Sequence, residues 1–351
     1  MLSRAFHDRK KAAATKSPKG EEGSTGSTSR SRSFQPEEEE EAFGHMNDLP
    51  LTFCSTASFR AVGLREILQS SVQVLGESGL GISEKVVLWD GMFFVAKRFR
   101  RVLVRKGEFG RRVERLALAS ARCEFLVPLR AYLYAKRTKL VLFQYYPMGS
   151  LADLLSGERE LGHTPLDWNI RLRIIFHVAN AIMFIHSISP AKVNQLQMNV
   201  HGNIKASNVF IRTDFSACLS DYGFFQLAER PEPPATQTHK KPEIADLAEE
   251  STPKCTTPTQ SCDMLSFGMM VLDILGGPTA PFHISNIRGR LNDIKEGRVS
   301  FFEFHVEEGR DKMQALLVLE IALACTNWSP EARPPINQVL ENLRGVLLII
   351  E

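Results

Sequence analysis

The pattern of apolar and polar positions changes character along the chain. Residues 1–32 hold eight Lys or Arg against three acids, and residues 33–48 carry the run Glu37 to Glu41 with no basic residue. A segment so polar cannot bury enough apolar surface to offset its ordering entropy, so a disordered polar tail is expected over 1–48. From Leu49 onward the texture is globular. Leu64 to Val74 reads as a short helix leading into Leu75-Gly76. Val86 to Trp89, the pair Asp90-Gly91 and Met92 to Lys97 predict a β-hairpin around a tight turn. Lys106 to Ser120 predicts a charged helix with the apolar stripe Phe109, Val113 and Leu116. Tyr132 to Tyr134 and Lys139 to Tyr145 supply two more strands. Beyond them helical spacing dominates: Trp168, Leu172, Ile175, Val178, Ala179, Ile182 and Ile185 share one face, and the helix stops before Pro190. Phe267, Met270, Val271 and Ile274 mark a buried helix ended by Gly276-Gly277-Pro278, and Ala315 to Cys325 and Ile336 to Leu343 mark two more. A strand-rich small half followed by a helix-rich large half predicts two lobes with a cleft between them.

Composition narrows the class. At 351 residues and 43% hydrophobic content the chain can build a sizeable core. Its 43 basic and 40 acidic residues leave a net charge of +3, which gives no support to wholesale nucleic-acid binding. No run of eighteen apolar residues is free of charge, so no transmembrane segment is expected, and the polar start is unlike a secretory signal. The Met-Leu start does not match the usual N-myristoylation signal, and the Ile-Ile-Glu end is not a prenylation box, so neither modification is expected. Six cysteines lie apart without a Cys-x-x-Cys pair, which disfavours zinc ribbons and disulfide scaffolds and suits a reducing, cytoplasmic setting.

Candidate chemistry gathers in a few stretches. Leu75-Gly76-Glu77-Ser78-Gly79-Leu80-Gly81 is a glycine-rich turn between two strands, and its backbone amides can approach phosphate oxygens. By itself a surface loop with three glycines is the commoner explanation. Val95-Ala96-Lys97 then places a lysine at the end of an alternating strand, where a cation can hold phosphates if a carboxylate fixes it. Glu114 on the following helix, beside the apolar stripe, is the candidate for that carboxylate. Further on stand Asn199-Val-His201-Gly202-Asn203-Ile204-Lys205-Ala206-Ser207-Asn208, then Leu219-Ser-Asp221-Tyr222-Gly223.

Taken in this order and spacing, these stretches resemble the protein-kinase pattern, with its catalytic loop followed by its metal-binding loop. The likeness is to the kinase domain of plant leucine-rich-repeat receptor-like kinases, in the subgroup with a His-Gly-Asn catalytic loop, and it covers roughly residues 50 to 350. Leu166 to Ile174, Val127 to Tyr132, Pro147 to Leu151 and Asp263 to Gly268 resemble phrases of the same family. The resemblance implies an α+β, bilobal protein-kinase-like fold: a small antiparallel β-sheet N-lobe with one helix, about 70–146, and a larger helical C-lobe, about 147–351. It implies ATP with Mg²⁺ as ligand, cradled by Gly76, Ser78, Gly79 and Gly81. Lys97 and Glu114 would serve the phosphates, and Asn208 and Asp221 the metal. Phe143 would be the gatekeeper, and Gln144 to Tyr146, including Tyr145, the hinge against which adenine lies. Arg333 resembles the buried arginine that pairs with the glutamate closing the activation segment, either Glu243 or Glu250.

The sequence departs from the family where chemistry is most exacting. Asn203 stands at the position of the catalytic aspartate, with Lys205 two residues on. An amide can orient a hydroxyl but accepts no proton at neutral pH. Losing a general base costs about 10²- to 10⁴-fold in rate, against typical kinase turnover of about 1–100 s⁻¹. Gly202 replaces the neighbouring arginine and removes a cationic pocket for a phosphorylated loop. Ser78 occupies a glycine position. The expected function is a receptor-like pseudokinase that binds ATP and signals through protein partners. The alternatives are a weakly active serine/threonine kinase and a nucleotide-free interaction scaffold. The basic cluster Arg98, Arg100, Arg101, Arg105, Lys106, Arg111, Arg112 and Arg115 is a candidate for peripheral contact with the inner plasma-membrane face, with a solvated surface as the blander alternative.

Overall fold

The structure, a computed structural model, describes residues 51–54, 63–162, 166–189, 196–228 and 258–349. The expected polar tail and both activation-segment glutamates lie outside the described residues.

The small lobe is a six-stranded antiparallel sheet. Its strands are β1 (Thr52–Phe53), β2 (Ser71–Ser78), β3 (Gly81–Val87), β4 (Phe93–Phe99), β5 (Leu129–Tyr134) and β6 (Lys139–Gln144), in the order β1-β5-β6-β4-β3-β2. Alternation along β4 divides the apolar residues between two cores, because successive side chains leave opposite faces of a strand. Phe94 and Ala96 pack with Leu51, Ile67, Leu140 and Leu142 on one face. Val95 and Phe99 face the other, against α2 (Lys106–Ser120). There Phe109 meets Tyr134 with ring centroids 5.3 Å apart and Phe99 at 6.0 Å. The stripe of Phe109, Val113 and Leu116 is fully buried, as its spacing predicts.

One element differs from the sequence expectation. The helix predicted over Leu64 to Val74 is α1 (Leu64–Gln69) only, and β2 follows at Ser71. Val72 and Val74 are β-branched, alternate with polar neighbours, and are exposed on an edge strand. Such residues suit a pleated edge better than a helix interior.

The large lobe is helical. Ser150 and Asp153 close a reciprocal capping box at the start of α3 (Leu151–Leu161), and Gly162 ends it in the left-handed conformation, φ 64°. Next comes α4 (Trp168–Ser187), capped by Asp167 and buried along its predicted face. By length and composition α4 is the one described helix that could cross a bilayer, yet it forms the centre of this core. Arg171, buried on α4, donates to the carbonyls of Leu166 (2.8 Å) and Ile274 (2.6 Å) and lies 4.2 Å from the Phe304 ring centroid. The short hairpin β7 (Val209–Ile211) and β8 (Ala217–Leu219) packs on α4. The other α-helices among the described residues are α5 (Gln260–Gly276), α6 (Ile284–Gly289), α7 (Leu291–Lys295), α8 (Arg310–Cys325) and α9 (Ile336–Leu347). Gln314 on α8 joins it to α4 and α9, accepting from the Trp168 indole (2.9 Å) and donating to the Val346 carbonyl (2.8 Å). Cys54, Cys123, Cys218 and Cys325 are buried free thiols.

Candidate functional site

The cleft is built on the hairpin from β2 to β3. The glycine-rich stretch forms this hairpin itself: Ser78 pairs with Gly81 across the turn at Gly79 and Leu80. Gly81 has φ +155°, and a Cβ there would lie 2.0 Å from the carbonyl oxygen of Arg98, so only glycine lets β3 lie this close to β4. Gly76 is exposed with open space around it, and Gly79 is also exposed.

Lys97 lies on the inner face of β4, opposite Ser83 on β3 and Val141 on β6. It is only 3% exposed. A buried ammonium must be paired, and Lys97 meets Ser78 Oγ at 3.2 Å, Ser83 Oγ at 3.2 Å and Asp221 Oδ2 at 3.3 Å. Its carboxylate partner is thus Asp221, not Glu114. Glu114 is half-buried on α2, where its charge bears on Cys54 and Tyr132. Burial first, and that charge second, push the Cys54 thiol up to about 12.

Asp221 follows β8 with φ +63°, a left-handed conformation rare for a residue with a side chain. Its Oδ2 also receives Asn203 Nδ2 at 3.4 Å. Asn208 turns its Nδ2 onto the Asn203 carbonyl at 2.8 Å, and its own carbonyl accepts from Ser220 N and Oγ at 2.8 and 3.0 Å. Asn203, Asn208 and Asp221 therefore come together as the sequence order implies. The Asp221 carboxylate and the Asn208 side-chain amide supply the oxygens that could hold a cation. Two hard oxygen donors fit a magnesium ion completed by phosphate and water. Among the described residues there is no cluster of three or more His, Cys, Asp or Glu arranged to hold a metal by themselves.

The loop carrying Asn203 is fixed from below by Asp263, a buried residue on α5. Its carboxylate accepts from the backbone N–H of His201 (2.7 Å) and Gly202 (2.8 Å) and contacts His186 Nε2 (3.0 Å). The Asn203 N–H donates to His201 Nδ1 at 3.1 Å, which assigns that ring nitrogen as the acceptor. Complete burial pushes the His201 pKa down, outweighing the nearby carboxylates, so the ring is neutral. Gly202 has φ +76°, and a Cβ there would lie 2.4 Å from the Phe225 ring. An aromatic ring occupies the space beside the residue that replaces the family's arginine.

Phe143 is buried on β6, opposite Val95, with its ring 6.0 Å from Phe210. Gln144 is exposed and accepts from Arg130 at 3.2 Å. Tyr145 sits under the Lys85 ammonium, 4.3 Å from ring centroid to Nζ, with Phe93 alongside. Lys205 is exposed on the loop surface. Arg333 donates to the carbonyls of Asn327 (2.8 Å) and Ser261 (3.1 Å).

Three functional groups escape the sequence reading. Ser83 was not legible: pairing counted outward from a two-residue Asp90-Gly91 turn sets Glu84 opposite Lys97, and only the observed register brings Ser83 there. Arg112 reads as one of a basic cluster, yet it reaches from α2 to the carbonyl of Gln226 at 2.7 Å while pairing with Glu108. Gln226 is the third. Its side chain accepts from Gln197 N (2.6 Å) and donates to Gln197 O (2.9 Å), a contact no local pattern announces. Within the basic cluster, Arg98 pairs with Glu84, Arg100 with Glu77, and Arg111 and Arg112 with Glu108.

Comparison with known proteins places this geometry. Residues 106–343 match the family described as protein tyrosine and serine/threonine kinase. A probable inactive receptor kinase of Arabidopsis thaliana is 30% identical over 294 residues, covering 81% of this chain and 44% of the relative. An inactive leucine-rich repeat receptor-like serine/threonine-protein kinase of the same plant is 33% identical over 290 residues, covering 80% of this chain and 41% of the relative. The chain thus spans less than half the length of these curated relatives. Among solved structures, the kinase domain of maize sucrose-induced receptor kinase 1, bound to AMP-PNP, superposes with a TM-score of 0.66 at 25% identity, over 85% of this chain and 99% of that one.

Proposed function

The chain belongs to the protein tyrosine and serine/threonine kinase family, as a domain of the plant receptor-like kind, and we propose that it is a pseudokinase: its cleft accepts Mg²⁺ and ATP, and it signals by binding protein partners on the cytoplasmic side. The observation that carries the reading is the carboxamide of Asn203 at the base position, with its N–H turned to Asp221 at 3.4 Å. An amide nitrogen in that orientation offers a proton and cannot remove one from an acceptor hydroxyl. The names of the two Arabidopsis relatives support the same conclusion. Magnesium, when bound, would supply charge neutralisation at the phosphates. Asp221 and Asn208 would hold it, Lys97 would face the phosphates, and the backbone after Phe143 would bound the adenine.

Three carboxylates, Glu77, Glu84 and Glu108, pair with four of the eight cations in the basic cluster, which reduces the field available to anionic lipid. We therefore place the interaction surface on protein partners and not on the membrane. The test of ligand retention is thermal shift with Mg·ATP. Binding stabilises by RT ln(1 + [L]/Kd), so saturation at one hundred times Kd adds about 2.7 kcal/mol. The transition should rise with millimolar Mg·ATP and stay put in Lys97→Ala; no rise in the parent chain removes the nucleotide from the account.

A second reading, a scaffold that works without nucleotide, is favoured by one observation: the N–H donors of Lys97 are already engaged within the chain.

A further inference from the structure

We infer that the glycine-rich turn of this chain is a serine latch: the hydroxyls of Ser78 and Ser83 hold Lys97 where phosphate oxygens would, and nucleotide enters only by displacing them. The inference deepens the nucleotide-binding reading above and rests on it.

An ammonium has three N–H donors and no acceptor. Lys97 has three oxygen partners, at 3.2, 3.2 and 3.3 Å: Ser78, Ser83 and Asp221. No donor remains for a ligand in this state. The two hydroxyls arrive from different strands, and the backbone fixes both. Ser83 is the residue of β3 directly opposite Lys97. Ser78 ends β2, and its hydroxyl donates to the Gly81 carbonyl at 3.3 Å, which leaves its lone pairs to the ammonium. Gly81 is pressed against the Arg98 carbonyl, so the turn cannot slide along β4. The tip of the hairpin is thus tied to the lysine beneath it. Asp221, the third partner, is also a candidate metal ligand, so metal binding and release of Lys97 compete for the same carboxylate.

A phosphate oxygen must therefore exchange against a neutral hydroxyl already seated on a buried cation. Hydrogen bonds to charged groups are among the stronger ones, and losing one such competitor corresponds to about a tenfold gain for the ligand. Ser78 and Ser83 become the residues of this chain that set nucleotide affinity.

The experiment is calorimetric titration of the whole chain with ATP, in magnesium and in EDTA, for the parent, Ser78→Gly, Ser83→Ala and the double variant. Circular dichroism confirms folding; Ser78 lies at the tip of a hairpin, so at least Ser78→Gly should fold normally. The latch predicts about tenfold tighter ATP binding for each single variant and a further gain in the double variant. Equal or weaker affinity in folded variants overturns the latch and leaves the nucleotide reading standing. Absence of binding in the parent and all variants overturns both.

Discussion

Position 203 shows how one atom changes what a site can do. Replacing a carboxylate oxygen by an amide nitrogen keeps the shape of the side chain, and Asn203 still reaches Asp221. What is lost is the lone pair that would take a proton. Position 202 works differently, because glycine there is also a backbone requirement. With φ +76° and the Phe225 ring in the Cβ direction, Gly202→Arg must strain the loop and displace an aromatic side chain. A cost of about 1–3 kcal/mol is expected, read as a lower midpoint in urea denaturation. The His-Gly-Asn loop is therefore adapted as a unit, and restoring the family's arginine alone should not restore a switch. His201 and His177 give a further outcome. Burial is the leading cause that pushes the pKa of both rings down. As pH falls through about 6.5 the unfolded chain takes up protons at these positions more readily than the fold, so stability is full above that value and declines below it. The urea midpoint should fall between pH 7.5 and 5.5; a midpoint that rises would show these rings charged in the fold. At this scale most of the site was legible. Lys97, Asn203, Asn208 and Asp221 follow from motif order. The partner of Lys97 did not, because choosing Asp221 over Glu114 needs the orientation of α2, which spacing alone does not fix.

Elements join the two lobes through contacts that no motif describes. Arg112 on α2 donates to the Gln226 carbonyl, and the Gln226 amide clasps the backbone of Gln197 in both directions. Leu103 N–H to Leu227 O, at 3.0 Å, adds a third tie across the cleft wall. These contacts use neither nucleotide nor a phosphate group, so α2 is held in place by the chain alone. Arg112→Ala should cost about 1.5 kcal/mol, because it removes a charge-assisted hydrogen bond while Glu108 keeps Arg111. Hydrogen exchange should quicken in α2 and around Gln226; unchanged protection there would show that the clasp contributes nothing. Long amphipathic elements such as α2 and α4 were readable because period and burial agree. The stretch from Leu64 to Val74 was not: its apolar residues satisfy a helical count, and only pairing with β3 reveals that Val72 and Val74 belong to an edge strand.

The whole molecule couples the site to its larger core through Asp263. This carboxylate lies on α5, whose apolar face packs on α8, and it holds the N–H groups of His201 and Gly202. Asp263→Ala strands these donors, at about 1–3 kcal/mol for each buried group left unsatisfied. A loss of several kcal/mol is a large share of a typical domain's stability. The prediction is a fall in melting temperature accompanied by loss of any nucleotide-induced shift; an intact shift would separate the loop from its support. Two-lobe organisation was evident from the passage of strand-rich to helix-rich sequence, since period-2 and period-3.6 patterns separate cleanly there. The closeness of the lobes was not, because it depends on Arg112, Gln226 and Lys97 meeting residues more than a hundred positions away.

The claim at the centre of this account is that a cleft suited to a magnesium-bound triphosphate lacks the group that removes the proton from the acceptor. Transfer of radiolabelled γ-phosphate, measured side by side for the parent chain, Asn203→Asp and an Asp221→Asn blank, tests it most directly. The account predicts a parent chain at the level of the blank and a rise of about 10²- to 10⁴-fold when the carboxylate is supplied at 203. Strong labelling by the parent chain, absent from the blank and barely changed by Asn203→Asp, would contradict it.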